Sequence, residues 1–148
     1  MLVDSLNSEV GQLENLRDGL ISRTVQGDEV LLIANADGLV SGPVVFYHLT
    51  ANCSGARQLP NVNGPGFMFM GQAFGPYVVY SRVVDPGGTA SARQPQAMET
   101  VVPGEDLSAP PNPAACLPLE DAGLISMGPA VIASDPAIGA LTPPFSVR

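Results

Sequence analysis

His48 is the single histidine of the chain, and it stands between Tyr47 and Leu49 in a stretch that reads as a strand. A general base needs a nucleophile or an orienting acid beside it, and its sequence neighbours supply neither. Ser41 lies in GLVSG, one place late for the G-x-S-x-G elbow, and no helical pattern follows it. Asp85-Pro86-Gly87-Gly88-Thr89 has turn composition and lacks the Lys of a phosphate loop. Asn52-Cys53-Ser54 is formally a glycosylation acceptor but reads as a turn, because residues 1–6 lack the basic and apolar regions of a secretory leader. Asp37, Asp85, Glu105-Asp106 and Glu120-Asp121 could ligate a cation, though acidic pairs in loops are usually solvated. Cys53 and Cys116 have no further Cys or His at zinc-ligand spacing. They can form one bridge or remain two buried thiols, and without an export signal the reduced state is expected. The expectation is a protein that is not an enzyme and carries no catalytic, cofactor-binding or metal site.

The elements that must position these residues are constrained by composition. The chain has 148 residues, of which 14 % are charged, against about 25 % in an ordinary soluble domain. Gly and Pro number 16 and 15, which excludes a helical bundle. The net charge is −8 and the six basic residues, all Arg, are spread singly, so no phosphate-neutralising patch forms and nucleic acid is not an expected partner. No apolar run reaches the roughly 18 residues of a membrane span.

Residues 2–23 carry the only helical periodicity. Leu6, Leu13 and Leu20 fall seven apart, with Leu2 and Leu16 between them, so a and d of a heptad are mostly Leu. Asp4 or Ser5 can cap the start. Against this, Glu9 occupies a d position, and Gly11 and Gly19 each cost a helix up to about 1 kcal/mol. The pattern predicts a short N-terminal coiled coil over residues 1–25, with Leu2, Leu6, Leu13, Leu16 and Leu20 as a trimer seam. The competing expectation is one amphipathic helix lying on its own domain.

From residue 28 the period becomes that of strands. Residues 29–35 (EVLLIAN) run into Asp37-Gly38, a strong turn signal. Residues 39–49 follow, broken at Gly42-Pro43, then a turn at residues 52–55. Residues 66–72 and 76–84 are further strands, and 98–102 is a weaker one. Residues 26–103 are therefore expected to form a small antiparallel β sandwich or barrel. Val44-Val45-Phe46-Tyr47 and Phe67-Met68-Phe69-Met70 are apolar on both faces. A domain of this size has too little interior to bury both. One face is expected to pack the protomer core and the other to meet neighbouring copies, with Val44, Phe46, Phe67 and Phe69 as contacts. The alternative is that the C-terminal segment covers the second face.

Residues 104–148 combine frequent Pro with recurring apolar residues. Such a chain reads as an extended Pro-rich arm laid over a surface, anchored by Leu124, Ile125, Met127 and Phe145 across a subunit boundary.

Phe46-Tyr47-His48-Leu49-Thr50-Ala51-Asn52-Cys53-Ser54-Gly55, with the closing Thr142-Pro143-Pro144-Phe145, resembles phage and bacterial fibre-tip or surface-decoration β domains. In these a heptad stalk precedes a small β domain with an aromatic-Tyr-x-x-Thr-x-x-Cys-x-Gly turn and a Pro-Pro-Phe end. The resemblance covers some 25 residues directly and carries no catalytic residues. It implies a non-enzymatic structural protein of a phage virion surface, serving as capsid decoration, cement or a short fibre. Such a chain would be made in the host cytoplasm, would assemble as a homotrimer and would contact the major capsid or other virion proteins. The alternative is a bacterial cell-surface or secreted ligand-binding β module.

Overall fold

A computed structural model describes residues 1–60, 68–82 and 92–148. The chain is mainly β, with one short α-helix among these residues. Phe67 and the whole Asp85–Thr89 turn motif, Asp85 included, lie outside the described residues, as does the end of the strand expected over 76–84. The fold divides into two compact units, residues 1–42, 64–80 and 132–148, and residues 43–63 and 81–131. Both units draw on residues 26–103 and on residues 104–148, so neither follows the boundaries expected at 25 and 103.

The N-terminal heptad does not form a helix. Its residues make β1 (Leu2–Val3), β2 (Glu9–Asn15) and β3 (Leu20–Val25), paired antiparallel in sequence order. The two glycines decide this. A Cβ on Gly11 would stand 2.5 Å from the Ser22 carbonyl oxygen across the β2–β3 ladder. Gly19 has φ +67° and would place a Cβ 2.2 Å from the Ala34 carbonyl oxygen. Both residues cost a helix and are required by the close strand approach. Val10, Ile21, Thr24 and Val25 add the β-branched residues that suit a pleated surface. Asp4 caps a turn rather than a helix. Its carboxylate accepts from the main-chain N–H groups of Leu6, Ser8 and Thr142 at 2.8–3.0 Å. The Thr142 bond above all holds this carboxyl below its usual pKa, against the opposing push of burial.

The first unit continues with β4 (Asp28–Asn35), β5 (Gly38–Leu39), β8 (Phe69–Phe74) and β9 (Tyr77–Ser81, whose last residue falls in the second unit). Its strand order is β14-β1-β2-β3-β4-β8-β9, with β5 on β4. Here β14 is Ser146–Val147, and only the β4–β8 pairing is parallel. The Asp37-Gly38 turn joins β4 to β5 as expected. Val10, Ile21, Val30, Leu31, Val78 and Tyr80 are buried. Tyr80 donates its hydroxyl to Asp28 at 2.5 Å.

The second unit contains β6 (Val44–His48), β7 (Gln58–Pro60), β10 (Ala92–Arg93), β11 (Ala97–Val101), β12 (Cys116–Pro118) and the start of β13 (Ile125–Ser134). The order is β12-β11-β6-β7-β13, with β10 on β13 and every pairing antiparallel.

The C-terminal segment is not an extended arm. Its strands pair with β11, β7, β10 and β1 of its own chain, and α1 (Pro136–Gly139) begins at an Asp135 cap. Pro118 ends β12, Pro113 and Pro136 open helical turns, and only Pro129 falls inside a strand, in β13 opposite Gln58. Phe145 is buried, and its N–H reaches the Ala36 carbonyl at 2.9 Å. Met127 is buried too, whereas Ile125 is half-buried and Leu124 is 74 % exposed. Of the expected anchors, the chain itself therefore covers two.

Candidate functional site

The residues with the densest polar chemistry lie on β6 and β11. Alternation turns Val44, Phe46 and His48 inward from β6, and Ala97, Glu99 and Val101 inward from β11. The register sets Phe46 opposite Glu99 and His48 opposite Ala97, so His48 and Glu99 are diagonal neighbours on the inner face. His48 Nε2 lies 3.0 Å from Glu99 Oε1. Because an ionised carboxylate only accepts, that nitrogen carries the proton.

Arg57 completes the cluster from the residue before β7. Its Nε donates to Glu99 Oε1 at 2.9 Å and one Nη to Oε2 at 3.0 Å, a bidentate pairing. The guanidinium also donates to the Leu107 and Ala109 carbonyls, at 2.7 and 3.3 Å, and lies 5.2 Å from the Phe46 ring centroid. Burial alone would raise the Glu99 pKa; the hydrogen bonds from Arg57 and His48 outweigh it and hold the carboxyl below its ordinary value. His48 is 0 % and Glu99 2 % exposed. His48 Nδ1 is buried without a hydrogen-bond partner. A substrate cannot touch either group in this conformation, so the trio acts as an internal ion pair that fixes β6, β11 and the 105–109 loop to one another. The sequence neighbours give His48 no acid partner because Glu99 is 51 residues away, and Arg57 reaches Glu99 from a loop. A signal was present: Glu99 falls between Ala97 and Val101 on the buried parity of an alternating strand.

A disulfide joins Cys53 to Cys116, correcting the expectation of reduced thiols. It ties the turn at residues 52–55 to β12. That turn is as expected, with Asn52 Oδ1 accepting from the Ser54 N–H at 3.2 Å and the Thr50 hydroxyl donating to the Ser54 carbonyl at 2.8 Å.

The remaining candidates stay apart. Ser41 and Asp37 are exposed, as are Glu105, Glu120 and Asp121. Asp106 is engaged by the hydroxyl and N–H of Ser108, which lower its pKa. Among the described residues no group of three His, Cys, Asp or Glu side chains is placed to hold a metal ion, and no helix is long and apolar enough to cross a membrane.

The opposite face of the same strands has a different character. Val45, Tyr47 and Leu49 point outward from β6 and its end, Met98 and Val102 from β11 and its end, and Leu117 from β12. Tyr47, Met98 and Leu117 align across the three strands. Val45 is 39 %, Leu49 45 %, Val102 42 % and Leu117 53 % exposed. Of the expected β-face contacts, Val44 and Phe46 are buried inside their own unit and Phe69 is half-buried. The exposed members of β6 are those of the other parity.

The expected helical seam also disperses. Leu2 is buried, Leu13 and Leu20 are half-buried, and Leu6 and Leu16 are 72 and 70 % exposed on separate turns. Leu2, Leu13 and Leu16 nevertheless border one groove of about 200 Å³, together with Ile21, Phe145 and Val147. Comparison with protein-family models, curated proteins and solved structures finds no match.

Proposed function

We propose that this chain is a non-enzymatic structural component of a phage-like particle surface, a decoration, cement or short-fibre protein that works through its sheet faces. The observation that carries this reading is the apolar outer face of β6, β11 and β12, with Val45, Leu49, Val102 and Leu117 partly in water and no ionisable side chain except Tyr47. A face of this kind marks a contact surface. The inner face of the same strands is rigidified by a buried ion pair and a disulfide, as suits a protein that keeps one shape under load. Disulfides persist at virion and cell surfaces. The low charge of the chain fits a surface largely covered in an assembly.

The copy number of three expected from the heptad loses its basis, because those leucines are on strands and turns, not on a helix. Copies are instead proposed to meet through sheet surfaces, with a shell protein covering the β6–β11–β12 face. The disulfide equally favours a bacterial cell-surface or secreted ligand-binding β module, the second reading. The test is incorporation. Leu117→Asp and Val45→Asp, both at exposed positions, are expected to fold and to be lost from purified particles. Normal incorporation of both variants overturns the role of this face.

A further inference from the structure

We infer that the Cys53–Cys116 bridge is a redox latch on the edge strand β12, whose reduction frees β12 and Leu117 from β11 while the rest of the second unit keeps its fold. The consequence rests on the docking role just proposed for the β6–β11–β12 face and names what regulates it. Leu117 joins that face only while β12 is seated.

β12 has few attachments of its own. It ends the strand order of the second unit and pairs only with β11, over three residues. Just beyond it the Leu119 N–H reaches the Gln96 carbonyl at 2.9 Å. Among the described residues no strand lies on its other side. Cys116 is half-buried, Leu117 is 53 % exposed and Pro118 is exposed. Pro118 also brings no N–H to the ladder. The 3₁₀ turn that leads into the strand, Pro113–Ala115, buries none of its residues. A short edge strand of exposed side chains belongs to the part of a fold that opens first. The bridge is what ties it down.

The other end of the bridge is fixed. Cys53 is buried in a turn that holds itself through its own N–H to the Thr50 carbonyl and the two Thr50, Asn52 and Ser54 bonds given above. β11 keeps five paired positions with β6, and the side-chain cluster of Glu99, Arg57 and His48 does not involve β12. Opening is therefore local. Cys116 Sγ, on the half-buried residue, is the sulfur that an external thiolate can reach. One thiolate of a dithiol attacks it, and Cys53 Sγ leaves and is protonated. The second sulfur of the dithiol then displaces Cys116, closing its own disulfide. The protein gains two electrons and two protons, and the dithiol loses them. Thiols are kept reduced in the cytosol and disulfides persist at virion and cell surfaces, so passage between such compartments sets the latch. Tyr47, Met98 and Leu117 align across β6, β11 and β12, and reduction narrows this face from three strands to two.

The test is hydrogen–deuterium exchange of the full chain, oxidised against reduced with dithiothreitol, read peptide by peptide. The amides of β12 and of Leu119 are expected to exchange at least about tenfold faster after reduction, while those of β6, which has no pairing with β12, keep their protection. The double variant Cys53→Ser with Cys116→Ser is expected to exchange like the reduced chain and to ignore dithiothreitol. Equal protection of β12 in both states overturns the inference, because the ladder then holds the strand unaided. Loss of protection in β6 together with β12 overturns it as well, because the bridge is then a staple for the whole unit. Particle content separates the latch from the reading it rests on. A strand released on reduction in a chain absent from particles refutes the docking role and leaves the latch standing; a chain present in particles whose β12 stays protected after reduction does the reverse.

Discussion

Replacing Glu99 with Gln keeps the shape of the buried cluster and removes its negative charge. Three hydrogen bonds end on this carboxylate, from His48 Nε2 and from two nitrogens of Arg57, at 2.9–3.0 Å. A Gln side chain has one acceptor oxygen and presents its NH₂ to a donor, so at least one charge-assisted bond is lost, about 1.5–3 kcal/mol. The Arg57 guanidinium, 12 % exposed, keeps only the Leu107 and Ala109 carbonyls and the Phe46 face as favourable surroundings. Breaking a buried pair in this way costs about 3–5 kcal/mol. With Arg57 close to the surface, the lower end applies, about 3 kcal/mol. For a urea slope of about 2 kcal/mol/M, the midpoint at pH 7 is expected to fall by about 1.5 M. The pH dependence follows from the lowered folded pKa of Glu99. Its contribution is present above the unfolded value near 4.5 and is lost as pH falls through the lower folded value. The gap between wild type and E99Q is therefore full at pH 7 and closes as pH falls below 4.5 and through the lower folded value. Equal midpoints at pH 7, or a gap that widens in acid, would refute the reasoning.

The disulfide closes a 63-residue separation, for which loop-closure entropy gives about 4 kcal/mol. Reduction, or replacement of both Cys53 and Cys116 with Ser, is expected to lower the urea midpoint correspondingly, and an unchanged midpoint contradicts a structural bridge. Gly19→Ala meets the Ala34 carbonyl and is expected to destabilise by more than about 2 kcal/mol, against about 1–2 kcal/mol for Gly27→Ala, which has positive φ but open space. Met127→Ala is expected to cost about 2–5 kcal/mol in chemical denaturation and Leu124→Ser less than about 0.5 kcal/mol. The reverse ranking would place the C-terminal segment outside the fold.

Where the sequence period was unambiguous, structure followed it. EVLLIAN, VVFYH and the Asp37-Gly38 turn became β4, β6 and the β4–β5 link, because β-branched runs bounded by Gly and Pro leave few alternatives. The N-terminal leucines misled because a seven-residue spacing also satisfies a strand–turn–strand path with its leucines on different faces and turns. Gly11 and Gly19 held the contrary information. The C-terminal prolines misled because Pro is compatible with strand ends and first helical turns. The inward face of β6 was legible as apolar, but the ion pair within it was not. Arg57, Glu99 and His48 converge through strand register and a loop, which local sequence does not encode.

Whether this chain is a particle component is decided by mass spectrometry of particles purified from the host that encodes it, digested without reductant. Peptides of the chain are expected in stoichiometric amount, with the Cys53 and Cys116 peptides joined. Particles that lack these peptides while the protein accumulates elsewhere in the culture would contradict the structural role.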